Sequence, residues 1–346
     1  MYHGAGPAAM SSVELQAGPT VSLRLFNTGL IVTSLGMVQL IDRVLRKLRE
    51  YRFLRGCRAV LSTPPACVRD DGVVIFSMIG TKVLLPYLVA AKSFQAQLGR
   101  GRFAILDDGT LTASDKGILA HHLGNPAIIP IDAVGTGPCP RGGTWERLLT
   151  ILDLRQNHYV IQLDSDIVTL GSVAEVAAAI DAGQSFTLRG EASAEIVPLT
   201  VAAEWAARHG APRRQHVQSA IEQAMGRVSL AARPDLRYVR GCSGFAGFAP
   251  GGSGRALAEA FSQEAERLLG SRHWAEWGSE QVTSNFVIAN EPDAVLLPYG
   301  RYLTFWNEPV GDGVAMVHFI GTYRYHRGSY LAAARFAIAQ LAAQGG

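Results

Sequence analysis

From Gly72 onward, apolar runs alternate with stretches of helical spacing. Val73 to Met78 is almost wholly apolar, residues 82–98 carry a helical pattern, and Phe103 to Leu106 is apolar again. The exchange continues with a helical 112–123, an extended Ala127 to Ile131, a helical 144–156 and an apolar strand over 159–168. Short apolar runs without polar alternation predict strands covered on both faces, and their regular exchange with helices predicts a mainly parallel α/β sheet. Further along, Ser172 to Ala182 reads as an Ala-rich helix with a serine cap and Phe186 to Arg189 as a strand. Residues 203–226 read as helical, 237–249 as a glycine-broken extended segment and 254–269 as a strong helix.

The amino-terminal part reads differently. Residues 1–20, with Gly, Ala, Pro and Ser, form a loose leader, and 62–72 a connector, which sets 1–71 apart from a domain spanning 72–346. Leu25 to Ile41 carries no charge, yet Asn27, Thr28, Thr33, Ser34 and Gln39 interrupt it and it is short for a membrane span. Directly after it, Arg43, Arg46, Lys47, Arg49, Arg52, Arg55 and Arg58 interleave with Ile41, Val44, Leu45, Leu48 and Leu54 at helical spacing. Such a basic amphipathic helix packs an apolar stripe under a solvated face; the alternative is peripheral contact with anionic lipid through 35–58.

Composition narrows the class. Of 346 residues 48% are hydrophobic, enough to fill a core, and a net charge of +3 asks for no nucleic-acid partner. Cys57, Cys67, Cys139 and Cys242 are far apart, without metal-ligand spacing. Reduced thiols and the lack of a secretory-signal order predict a cytoplasmic protein, with membrane contact limited to its periphery.

Candidate chemistry centres on Asp164-Ser165-Asp166, which closes the apolar run Tyr159 to Leu163. Buried parallel strands deliver ligands at their carboxyl ends, and carboxylates at i and i+2 offer hard oxygens to Mn²⁺ or Mg²⁺. A polar strand end whose Asp and Ser bond their own backbone would look the same.

Other segments extend the picture. They are Val74-Ile-Phe-Ser77 with its following helix, Phe103-Ala-Ile-Leu-Asp107-Asp108-Gly-Thr, and Trp145-Glu-Arg147 upstream of the aspartate pair. Cys242-Ser243-Gly244-Phe, Glu280-Gln281-Val-Thr-Ser-Asn285 and His318-Phe-Ile-Gly321-Thr-Tyr-Arg324 complete the set. In order and spacing these segments resemble glycosyltransferases of the GT-A fold, and among them the family 8 enzymes. The chain departs from that pattern where Met78, Ile79 and Gly80 replace an aspartate after the first strand. It departs again in Cys242 for Asn, Glu280 for Asp, Val282 for a carboxylate and Arg324 for Lys.

The resemblance implies a GT-A α/β/α sandwich with a mainly parallel central sheet, preceded by a helical extension. It implies a hexosyltransferase moving a sugar from a nucleotide-sugar donor to an unidentified acceptor, with retention and with Mn²⁺ (or Mg²⁺) as cofactor. Asp164, Asp166 and His318 inherit the role of metal ligands. Ser77, Asp107, Asp108, Arg147, Asp164, Ser165, Ser243, Gly244, Asn285, Gly321 and Arg324 inherit donor contacts. Gln281 and Glu280, with Asp166, inherit the catalytic side, and 190–240, with Glu191, Trp205, Arg213 and Arg214, is expected on the acceptor side.

Two other functions remain open. Ile105-Leu-Asp107-Asp108-Gly-Thr-Leu is similar to the signature of haloacid-dehalogenase-type phosphatases, but Leu106 occupies the nucleophile's position. A non-catalytic nucleotide-sugar-binding protein, or a scaffold on membrane or protein, is the third class.

Overall fold

The computed structural model describes residues 43–209, 216–230 and 233–344. The leader, the 25–41 segment, residues 35–42 of the basic helix, and Arg213 and Arg214 lie outside these residues. A helix, α1, covers 43–57, and a 3-10 turn continues it over Arg58–Ser62.

The body then runs β1 (Val73–Ile79), α2 (Leu84–Leu98), β2 (Arg102–Asp107), α3 (Ala113–Leu123), β3 (Ala127–Pro130), α4 (Trp145–Leu154) and β4 (Tyr159–Leu163). It continues with β5 (Ile167–Thr169), α5 (Ala174–Asp181), β6 (Phe186–Arg189), β7 (Ile196–Pro198), α6 (Leu199–His209), α7 (Val217–Ala224), β8 (Arg237–Val239) and β9 (Gly241–Phe248). The last elements are α8 (Ala256–Leu269), α9 (Ser271–Trp274), α10 (Ser279–Ala289), β10 (Val295–Leu296), β11 (Tyr302–Thr304), β12 (Met316–His318) and α11 (Ser329–Ala343).

Seven strands form one sheet in the order β10-β6-β9-β4-β1-β2-β3. β1 to β4 are parallel to their neighbours among themselves, and only β9 runs antiparallel, between β4 and β6. Both faces are covered, because alternate side chains of each strand enter different cores. Ile75, Ile105 and Ile161 join one apolar cluster with α2, α5 and α11, whereas Phe76, Leu106 and Val160 join the other with α4, α8 and α10. The expected mainly parallel α/β/α arrangement is therefore present.

Three sequence expectations need correction. The 159–168 strand is two strands: β4 stops at Leu163, the Asp164 N–H donates to the Gly244 carbonyl at 2.8 Å, and β5 joins a separate sheet, β11-β12-β5. The 203–226 helix is α6 and α7, which pack on each other. Ser172 is not a cap: α5 begins after Val173 without a side-chain cap, and the Ser172 carbonyl accepts from Arg301 at 2.8 Å.

The carboxyl ends of β1, β2 and β4 share one sheet edge, where chain reversals leave room for a ligand. Glycine keeps that edge open: a Cβ at Gly80 would stand 2.2 Å from Thr110 Oγ1 and 2.3 Å from both Asp108 oxygens.

Between α2 and α3, buried Lys92 extends Nζ to the Thr63 carbonyl (3.2 Å) and lies 3.2 Å from His122 Nδ1. Burial, then the neighbouring Lys92 charge, lowers the His122 pKa from 6.5 to about 4. Unfolded, this histidine binds a proton near pH 6.5; folded, it stays neutral until about pH 4, so stability present above 6.5 is lost as pH falls through that window. The loss expected between those limits is about 3 kcal/mol. Denaturant midpoints at pH 7, 5.5 and 4.5 should converge for wild type and His122→Gln; parallel curves would refute it.

Candidate metal and substrate centre

The turn after β4 and the end of β12 build the centre. β12 pairs antiparallel with β5, bringing His318 opposite Ile167, one residue beyond Asp166. Ligand atoms of Asp164, Asp166 and His318 consequently lie within 4.8 Å of one another. His318 Nε2 stands 3.0 Å from Asp166 Oδ1 and 3.9 Å from Asp164 Oδ2. Asp166 Oδ1 is buried without a hydrogen bond of acceptable geometry. Without a cation these two atoms form an ion-pair contact, and they are close enough to share one. Two carboxylates and an imidazole form a donor set suited to Mn²⁺ or a similar divalent ion, so the residues present fit the implied metal.

Arginines brace this acidic turn. Arg147, projecting from α4, is buried and donates to Asp164 Oδ1 at 2.8 Å, to Glu280 Oε2 at 2.8 Å and to Ser243 Oγ at 3.1 Å. Gln162 Nε2 also donates to Asp164, at 2.8 Å. Arg324 pairs with Asp166 Oδ2 and donates to the Phe319 carbonyl at 2.9 Å. Tyr330 O–H donates to the Ser165 carbonyl at 3.2 Å, pinning the middle of the turn from α11.

The charges pull the two aspartates apart in acidity. Burial pushes Asp164 up, with Arg147 opposing and Asp166 reinforcing. Asp166 is held low: burial alone would raise it, but His318 and Arg324 outweigh that. Burial would lower His318, yet Cys242 and Asp166 raise it well above its ordinary value. Three carboxylates, Asp164, Asp166 and Glu280, meet two guanidiniums and the His318 imidazole here, and a divalent ion would take the place of the imidazole proton.

The centre opens into a cleft of about 850 Å³ lined by Arg147, Asp164, Asp166, His318 and Arg324. Ser243, Gly244, Glu280, Gln281 and Gly321 also line it, so ten of the residues singled out in the sequence share one cavity. Gln281 Nε2 donates to Gln218 across the cleft at 3.3 Å, while Glu280 is buried and also accepts from Thr144 at 2.8 Å. Burial raises the Glu280 pKa against the pull of Arg147.

Five of the expected donor residues do not line this cavity. Ser77 Oγ donates to the Leu163 carbonyl at 2.6 Å, locking β1 to the end of β4. Asn285 is buried behind β9, its Oδ1 2.6 Å from where a Cβ on Gly241 would stand. Only the backbone of Ser165 is held, by Tyr330. Asp107 accepts from the N–H groups of Gly109 (2.9 Å) and Leu111 (3.2 Å) and pairs with Lys116 at 2.8 Å. Asp108 accepts from the Thr110 N–H at 2.9 Å. These two aspartates cap the turn after β2, and Leu106 beside them is buried, so no phosphatase nucleophile stands there.

Cleft residues missed in the sequence include Thr144, Trp277, Trp306 and Tyr323, while Gln218 and Arg240 come from the 190–240 segment expected on the acceptor side. Trp277 and Trp306 are 69% and 53% exposed, with the Trp306 indole N–H fixed on the Gly190 carbonyl at 2.9 Å. Of the expected acceptor-side residues, Glu191 lines the cleft and Trp205 lies under the Arg240 guanidinium, 4.7 Å from ring centre. Isolated aromatics on loops carry no periodic signal, which hid them.

No sequence-family model matches the chain, and no curated protein does. Solved structures do match. An active-site mutant of LgtC is similar at 12% identity, over 78% of this chain and 95% of that one, with a TM-score of 0.46. Apo WbbM, a bifunctional glycosyltransferase, is similar at 12% identity, over 79% of this chain and 52% of that one, with a TM-score of 0.44. Core-mannan synthase A (CmsA/Ktr4) from Aspergillus fumigatus, in its Mn/GDP form, is similar at 8% identity, over 82% of this chain and 88% of that one, with a TM-score of 0.40. This chain spans about half the length of the WbbM chain.

Proposed function

We propose that the chain is a metal-dependent glycosyltransferase of the GT-A type, transferring a hexose from a nucleotide-sugar donor with retention. The observation carrying this reading is the convergence of Asp164, Asp166 and His318 at one end of a cleft that also holds Arg324, Glu280 and Gln281. A bound Mn²⁺ or Mg²⁺ would act there as a Lewis acid on the donor diphosphate. Arg324, paired with Asp166 and lining the cleft, would supply a charge-assisted bond to the departing phosphate. Arg147 holds Asp164 in place, and its second pairing keeps Glu280 buried against the wall. Gln281 is then the more accessible group for the sugar, where its amide would steady developing positive charge through its oxygen.

Thermal denaturation with Mn²⁺, with nucleoside diphosphates, and with both tests the reading. UDP or GDP is expected to raise the melting temperature only when Mn²⁺ is present, and the matching nucleotide sugar to release its diphosphate. If no combination shifts the transition, the reading fails.

We also propose a cytoplasmic protein in peripheral membrane contact through the basic helix. All four cysteines are free thiols. On α1, Leu48, Tyr51, Arg49, Arg52 and Arg55 are exposed while Phe53 and Cys57 are buried, so an apolar and cationic surface faces solvent. No described helix is long and apolar enough to cross a membrane. Co-sedimentation at low salt is expected with phosphatidylglycerol vesicles and not with pure phosphatidylcholine; equal binding to both, or none, would refute it.

A further inference from the structure

We propose that Cys242 is a positioning residue for the cation centre: its thiol fixes which imidazole nitrogen of His318 faces the two aspartates. The inference rests on the cation reading above, and it concerns the position where this chain has cysteine.

The geometry begins on β9. Cys242 and Gly244 are two residues apart on one strand, so they present to the same face, and the His318 ring lies across both. A Cβ at Gly244 would stand 2.1 Å from Cε1 of that ring, 2.7 Å from Nε2 and 2.8 Å from Nδ1. The imidazole therefore rests against a bare backbone, in a space that any other residue would close. At one edge of the ring, Cys242 Sγ lies 3.2 Å from Nδ1. At the other edge, Nε2 lies 3.0 Å from Asp166 Oδ1.

The two nitrogens have different tasks. Nε2 can give its lone pair to a cation only if the proton of the neutral ring sits on Nδ1. A buried Nδ1–H needs an acceptor, and the atom supplied is sulfur. Histidine ligands ordinarily take a carboxylate, a carbonyl or a water in this role. Cys242 is on the side of the ring away from the aspartates and is not among the converging ligand atoms, so it acts through His318 and not on the cation. A thiol is a weak acceptor and, unlike those groups, can be alkylated or oxidised. Because Cys242 also lines the cleft, cation loading of this centre is tied to the chemical state of one reachable thiol.

The test uses the full-length protein and two readouts. Mn²⁺ titration followed by electron paramagnetic resonance should show Cys242→Ala binding about 10- to 100-fold more weakly than wild type, the usual effect of losing such a partner. Cys242→Asn, whose amide oxygen can accept from Nδ1–H, should recover most of that affinity. In the metal-free protein, at a pH high enough to leave the His318 ring neutral, ¹⁵N-resolved NMR should show a solvent-protected Nδ1–H resonance of His318 in wild type and Cys242→Asn, absent in Cys242→Ala.

Should Cys242→Ala fail to fold, iodoacetamide acting on Cys67→Ser, which removes the exposed thiol, should abolish Mn²⁺ binding in step with modification of Cys242. Equal Mn²⁺ affinity in wild type and Cys242→Ala, an Nδ1–H resonance that persists in Cys242→Ala, or Mn²⁺ binding that survives alkylation would each overturn the proposal. Wild type that binds no Mn²⁺ but shows the expected NMR difference would remove the cation reading and leave the positioning of His318 standing.

Discussion

Asp166→Asn is expected to abolish the Mn²⁺-dependent thermal shift given by nucleoside diphosphates and to lower turnover roughly 10²- to 10³-fold, the range for losing one preorganised electrostatic partner. The side chain is nearly isosteric, so Arg324 and the Phe319 N–H, which donates to the Asp166 carbonyl at 2.9 Å, keep acceptors. The change removes a negative charge whose repulsion helps to raise the Asp164 pKa, and it also removes the charge that Arg324 and His318 pair with. Without metal, the relief at Asp164 and the lost pairing with Arg324 and His318 oppose each other, so the variant should melt close to wild type. A large loss of function beside a small change of stability separates a ligand from a structural aspartate. A variant that loses activity together with several degrees of metal-free melting temperature would show that Asp166 mainly holds the fold.

The largest stability effect is expected at Arg147. Its guanidinium is buried and serves Asp164, Glu280 and Ser243 at once, with Glu280 buried and Asp164 half-buried. Arg147→Met fills similar space but leaves two acids in the interior without their cation, which costs about 3–5 kcal/mol when one partner of a buried pair is removed. In a body of this size that is a fall in melting temperature on the order of 10 °C. Adding Glu280→Gln should recover part of the loss, because the neutral amide needs no counter-charge. Calorimetry of the single and double variants measures it; additive losses would show that Arg147 and Glu280 are energetically independent.

Particular residues show why the fold was more legible than the site. Ile75, Phe76, Ile105 and Ile161 belong to runs whose side chains are all buried except Met78 and Arg102, and a strand covered on both faces has that signature in any sequence. The end of β4 was not visible, because apolar Ile167 and Val168 follow Asp166 and only the bond from Asp164 N–H to the Gly244 carbonyl diverts the chain. Asp107 and Asp108 looked equivalent to Asp164 and Asp166 as paired carboxylates after a strand. Their surroundings differ: backbone N–H groups and Lys116 satisfy the first pair, whereas the second faces an imidazole across a point with no donor.

Alone, the sequence determined the mainly parallel sheet and the position of the aspartate pair at a strand's carboxyl end, because periodicity and local order are properties of neighbouring residues, while His318 entered the candidate set only through the family resemblance. Only the tertiary structure decided that His318 completes the pair, that Cys242 stands behind it, and that Ser77 and Asn285 turn inward. Those outcomes depend on strand register: β12 pairs with β5 so that His318 meets Ile167, and a shift by one residue would turn the imidazole to the opposite face. Register is set by which faces must be buried together, a long-range condition that no local pattern contains.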